Sequence, residues 1–307
     1  MRPFEVCEVA LAALYLRGLP RPLDVRGACW RGVDAAVGAA GPGLGSLAGV
    51  LREVGFTAEA WVLDAPGVLA RAEDEVGARR VLTACSGSYP RRWLDVLGHT
   101  APPAVWVRGS VPCIPFVAVV GSRAVPAAAR RFARQVAEAS VASGYAVVSG
   151  GAAGCDRAAA GGAGGALLEI VPCGLAHRRA GTGGEVSVCA PYEPFSSATA
   201  MERNGLVYAA SDLAVVVHAR FKKGGTWHGA VDALRRRLAP LAVRWVKHDS
   251  AARALVALGA SPMQTPSNLL QILASNPREG GLFRADGTLQ DRESHCQDPS
   301  GARRGDR

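Results

Sequence analysis

Phe116–Val117–Ala118–Val119–Val120–Gly121–Ser122–Arg123 is an apolar run that breaks into a glycine, a serine and an arginine. Val147–Val148–Ser149–Gly150–Gly151–Ala152–Ala153–Gly154–Cys155–Asp156 repeats the pattern further along. Helical periodicity follows each, so each reads as a strand that turns into a helix. In a parallel sheet this places free backbone N–H groups at the carboxyl end of a strand, beneath a helix N-terminus. Unpaired donors and the helix dipole both attract phosphate there.

The pattern continues outward from these two stretches. Strands are expected at 116–121, 145–149, 167–172, 213–217 and 241–245, and helices at 127–143, 156–164, 201–210 and 227–238. Short apolar runs alternating with helices imply right-handed crossovers. The fold class is α/β: a Rossmann-like, doubly wound, mostly parallel sheet, with a small helical N-terminal domain. Ala104–Arg108 reads as a further strand, and residues 173–199, rich in Gly, Ser and Pro, read as loop.

Three regions result. Residues 1–80 read as the helical domain, with helices at Phe4–Arg17 and Ser46–Val54 around a turn at Gly41–Gly45. Residues 81–247 form the sheet domain. Residues 248–307 hold one short helix, Pro266–Ala274, and a polar tail from Asp286 that reads as disordered.

The chain of 307 residues is 49% hydrophobic and 20% charged, enough to bury a large core. No apolar run reaches membrane-helix length, and the start Met1–Arg2–Pro3–Phe4–Glu5 reads as lacking a secretory signal. A cytoplasmic protein is expected. The eight cysteines form no C-x-x-C pair and no zinc spacing, so neither metal nor cofactor is expected. Net charge is +9, and with only three lysines arginine supplies nearly all of the positive charge. Clustered cations suit a polyanion, although composition bias yields the same total.

Two more elements belong at the same sheet edge. Met201–Glu202–Arg203–Asn204 opens a helix, and Lys222–Lys223–Gly224–Gly225–Thr226 follows the strand Leu213–Val217. The candidate phosphate-binding residues are therefore Gly121, Ser122, Arg123, Ser149, Gly150, Arg203, Asn204, Lys222, Lys223, Gly224, Gly225 and Thr226. Asp156 is suited to cap the helix behind it. Trp227, beside the cationic loop, is the candidate for stacking on a base. No Ser-centred elbow, H-E-x-x-H or Walker motif occurs, and no convincing acid–base pair, which favours binding over turnover.

With these residues in hand, the chain resembles the DprA/Smf family of DNA-processing proteins. Val119–Arg123 is similar to the first family signature, Ser149–Gly150–x–Ala152–x–Gly154–x–Asp156 to the second, and Arg203–Asn204 with Ser211–Asp212 and Val215–Val217 to the third. Tyr89–Pro90, Pro102–Pro103 and Val107–Gly109 look like the lead-in segment. The resemblance implies a single-stranded DNA-binding protein that assists DNA uptake and recombination as a homodimer, helps to load the RecA recombinase and is not an enzyme. Gly121, Ser122 and Arg123 would hold DNA phosphates, and Ser149, Gly150 and Arg203 would complete the wall. The chain departs at Ala160, where the family has histidine, at Gly205, where it has arginine, and at Lys222–Thr226, where it has Ser-Gly-Ser. Two alternatives stay open: a phosphoribohydrolase of the LOG type on the related fold, and a nucleotide-binding sensor.

Overall fold

The computed structural model describes residues 68–83, 86, 88–102 and 104–276. The expected helices at 4–17 and 46–54 and the expected disorder from 286 lie outside the described residues. Helix α1 (Val68–Gly77) is the described part of the N-terminal region.

One nine-stranded sheet organises the rest. In chain order its strands are β1 (Val81–Thr83), β2 (Ala104–Arg108), β3 (Phe116–Gly121), β4 (Ala146–Ser149), β5 (Leu167–Val171), β6 (Gly184–Ser187), β7 (Leu213–His218), β8 (Leu241–Arg244) and β9 (Ser261–Met263). Their spatial order is β1-β2-β6-β5-β4-β3-β7-β8-β9. All pairings from β6 through β9 are parallel, while β1–β2 and β2–β6 are antiparallel.

The central strands are apolar on both sides because both sides are covered. Val117 and Val119 of β3 pack with Ala129, Phe132, Ala133 and Val136 of helix α3 (Ala127–Ala142) and with Ala159 of helix α4 (Cys155–Ala163). Phe116 and Ala118 face the other way, into a core with Trp93 of helix α2 (Arg91–Leu97) and Leu206 of helix α5 (Ser197–Ala209). Helix α6 (Gly224–Arg236) and helix α7 (Ser250–Ala257) complete that layer. Right-handed crossovers between parallel strands need helices on both faces, and the alternation of Val117/Val119 against Phe116/Ala118 supplies the apolar contact for each.

Two sequence readings are corrected. Residues 173–199 are not all loop, because 184–187 form β6 inside the sheet. Gly184–Glu185–Val186–Ser187 lacks an apolar run, and its Glu185 is 1% exposed. That acid is tolerated because Arg108 donates to it from Nε at 2.7 Å and Arg178 from Nε at 3.1 Å. A buried charge held by two guanidiniums can occupy a strand that periodicity does not recognise. The sheet also does not end at residue 247. Strand β9 pairs in parallel with β8, and Ala251, Ala252 and Leu255 of α7 are buried in the same core. Pro262 hides this strand in the sequence, since proline fits only at a sheet edge, which is where β9 lies. The expected helix at 266–274 is a single turn, Pro266–Asn268, continued by helix α8 (Leu269–Ala274).

Candidate nucleic-acid interface

Strand β3 sits beside both β4 and β7. The chain leaves β3 to build β4, β5 and β6 on one side, then returns to build β7, β8 and β9 on the other. Crossovers depart in opposite directions at β3 and β7, and their carboxyl ends open a crevice between them. Open α/β sheets bind ligands at this kind of position. The crevice is a cavity of about 490 Å³, lined by the β3–α3 turn, the β4–α4 loop, one side of α5 and the β7–α6 turn.

The first two sequence stretches interlock to build its floor. Gly154 has φ +80°, and a Cβ there would lie 2.2 Å from the Arg123 carbonyl oxygen and 2.5 Å from that of Ser122. Cys155 N–H donates to the Ser122 carbonyl at 3.4 Å. The β4–α4 loop thus rests against the backbone that carries Arg123, and only glycine allows the approach. Gly150 does the same for a side chain: a Cβ there would lie 1.3 Å from Arg203 Nη1. The absence of that carbon leaves the guanidinium its channel into the cavity.

Arg203 is 6% exposed and Asp156 5%. Arg203 Nη1 lies 4.0 Å from Asp156 Oδ2. That oxygen also accepts from Gly150 N–H at 3.2 Å and Ala152 N–H at 3.3 Å. Burial pushes the Asp156 carboxyl up to about 6, against the opposing pull of Arg203 and the two amides; Glu169 adds to the rise. Burial likewise holds the Arg203 guanidinium below its ordinary value, helped by Arg123 and Arg178 and opposed by Asp156. Nε of Arg203 has no hydrogen-bond partner among the described residues. A buried guanidinium with a single long ion pair is under-satisfied, and an anion entering the cavity would supply what it lacks.

This arrangement revises where free donors lie. The amides of Gly150 and Ala152 are occupied by Asp156, and Ser122 N–H donates to the His218 carbonyl at 3.0 Å. Asp156 lies in the first turn of α4, its carboxylate turned back into the glycine loop, and it is not the helix cap: Gly154 holds that position. The first turn of α6 offers amides at Gly224, Gly225 and Thr226 that no intrahelical carbonyl can accept from, and among the described residues its N-cap Lys223 makes no side-chain cap bond. The side chains of Arg123, Arg220 and Lys223, all exposed, stand around this helix start and the cavity.

Of the residues singled out in the sequence, Gly121, Ser122, Arg123, Gly150, Arg203, Asn204, Lys223, Gly224, Gly225 and Thr226 line the cavity together. Two do not. Ser149 is fully buried at the end of β4, and Lys222 turns its Nζ over the Phe221 ring, 5.2 Å from the centroid. Trp227 does not serve as a stacking surface: it is 7% exposed and packs edge-on against Phe221 at 5.1 Å. Sequence reasoning missed Arg220 and Phe195, which also line the cavity, as does Met201 at the head of the element read from the sequence. Arg220 is two residues before the cationic pair, and that nearness was its signal. Phe195 lies in the stretch read as featureless loop.

Burial pushes the Cys155 thiol up to about 12, so it stays protonated near neutrality. Among the described residues no cluster of three His, Cys, Asp or Glu side chains could hold a metal ion. Behind the glycine loop, Arg178 joins Glu169 at 2.7 Å and Glu185 at 3.1 Å and donates from Nη1 to the Gly151 carbonyl at 3.2 Å. That network braces the loop from beneath.

A family model described as DNA recombination-mediator protein A matches residues 80–274. Among solved structures, DNA processing protein A from Streptococcus pneumoniae is similar at 16% identity and a TM-score of 0.60, over 88% of this chain and 98% of that one. DNA processing protein A from Helicobacter pylori, reported for its single-stranded DNA binding mode, is similar at 22% identity and a TM-score of 0.53, over 61% of this chain and 93% of that one. These likenesses establish the α/β fold. Comparison with curated proteins finds no match.

Proposed function

Since the chain belongs to the DprA/Smf family of DNA recombination-mediator proteins, we propose that the cavity at the β3–β7 switch point grips the phosphates of single-stranded DNA. The observation that carries this is Arg203: nine-tenths buried, lining the cavity, and short of partners. Arg123 and Lys223 add exposed charge at the mouth, and the first turn of α6 adds backbone donors. Contacts of this kind read the backbone and not the bases, so affinity depends on salt and little on sequence.

The cavity unites cations and amides around one buried carboxylate, a set suited to holding a phosphate. No helix among the described residues is long and apolar enough to cross a membrane. The protein works in the cytoplasm as a homodimer, holding single strands during DNA uptake and passing them to a RecA-type recombinase. Support for these last steps comes from the family's description as a recombination mediator.

Anisotropy titration of labelled oligo-dT against the wild type and Arg123→Ala tests the reading. A folded variant that binds with wild-type affinity would sink it.

A further inference from the structure

Among the described residues the exposed Tyr and Phe side chains are Tyr192 (81% exposed), Phe195 (53%) and Phe221 (40%); Phe195 lines the cavity, Tyr192 stands three residues before it, and Phe221 lies between Arg220 and the lining residue Lys223. The chain is only 6% aromatic, so this placement is selective. Phe221 is already engaged, with Trp227 at its edge and Lys222 over its face. Among the described residues no ring or cation packs against Tyr192 or Phe195.

Their loop is pinned. Gly174 N–H donates to the Glu193 carbonyl at 2.8 Å, Ala176 N–H to that of Pro191 at 3.0 Å, and Glu193 N–H to that of Ala190 at 2.9 Å. His177 Nε2 bonds the Tyr192 carbonyl at 2.9 Å, and Ala190 N–H donates to Glu193 Oε2 at 3.1 Å. Beyond Phe195, Ser196 and Thr199 close a capping box on α5. The loop backbone is held in place on either side of the two exposed rings.

We propose that the Tyr192–Phe195 loop is a base-stacking ledge over which a single strand leaves the phosphate cavity. The occupant must present flat apolar rings to the ledge and negative charge to Arg123, Arg220 and Lys223 beside it. Unpaired nucleobases joined by phosphates do both; a duplex hides its ring faces. Aromatic platforms next to a cationic groove are a general means of holding single strands. This rests on the reading that the cavity holds nucleic-acid phosphates, and it adds the source of the preference for unpaired bases.

The test compares oligo-dT with an abasic oligodeoxynucleotide of the same length, by fluorescence anisotropy at two salt concentrations. The proteins are the full chain, Tyr192→Ala and Phe195→Ala, each checked for an unchanged thermal transition. The wild type is expected to prefer oligo-dT. Each substitution should weaken oligo-dT binding by roughly 5- to 100-fold and leave abasic binding and the salt slope in place. Equal affinity of the wild type for both oligomers overturns the ledge but leaves the phosphate reading standing. Binding of neither overturns both. Unchanged oligo-dT affinity in the variants also overturns the ledge, and a loss of self-association in light scattering would then assign the rings to a protein contact.

Discussion

The Arg203 guanidinium lies 4.0 Å from the Asp156 carboxylate, and both side chains are more than nine-tenths buried. The two come from different elements: Arg203 from α5, Asp156 from the first turn of α4. Their separation is long for an ion pair, and Asp156 spends its Oδ2 on the amides of Gly150 and Ala152 as well. The carboxylate therefore anchors the loop and holds the arginine loosely, and the arginine keeps hydrogen-bonding capacity for a ligand.

Arg203→Ala removes the charge that offsets Asp156 and leaves a buried carboxylate with the amides of Gly150 and Ala152 but no counter-ion beside it. A loss of about 3 kcal/mol in stability is expected, the scale of breaking a buried pair from one side. Urea denaturation near pH 7 measures it. The double variant Arg203→Ala with Asp156→Asn should regain most of the loss, because no buried charge is left behind.

Asp156 titrates higher in the folded chain, at about 6, than in the unfolded one. The folded state therefore holds the extra proton between about pH 4 and 6, and stability falls as pH rises through that window. Asp156→Asn keeps an acceptor for the two amides and removes the titration. Its stability should be flat over the window where the wild type declines. The groups that face Asp156 are Arg203, Glu169 and Tyr208, with Cys155 adjacent in sequence. Single-strand affinity should likewise tighten in the wild type as pH drops toward 5, because a neutral Asp156 no longer competes for Arg203. Asp156→Asn should show the tight binding already at pH 7.

Gly154→Ala places a methyl group 2.2 Å from the Arg123 carbonyl oxygen, in a backbone conformation with φ +80°. The loop must shift away from the β3–α3 turn. A stability loss of about 2–3 kcal/mol is expected, with weaker single-strand binding, because Arg123 moves with that turn. Calorimetry together with anisotropy on the same preparation checks both halves.

Much of this was legible in the chain. Val117–Val120 and Val147–Val148 announce central parallel strands because both of their faces are covered, and Gly121–Ser122–Arg123 and Gly150–Gly154 mark the turns where a ligand and a helix must come close. What escaped was held by long-range charge and not by local pattern. β6 survives as a strand because Arg108, 77 residues earlier, and Arg178 from the loop before it neutralise Glu185. Asp156 looks like a helix cap at its spacing, but Gly154 takes the cap and the carboxylate turns to the glycine loop. Trp227 looks like a ligand contact from its place beside the lysines, yet the helix rotates it into the core and leaves Phe195 at the rim. Helix phase at a single residue is a tertiary outcome that the flanking sequence does not determine.

The most direct measurement is the salt dependence of oligo-dT binding for the wild type, Arg123→Ala and Lys223→Ala. Log affinity should fall linearly with log salt concentration, and each substitution should reduce the slope by about one while weakening binding by about 1–3 kcal/mol. Identical slopes and affinities across all three folded proteins would contradict a phosphate grip at the β3–β7 switch point.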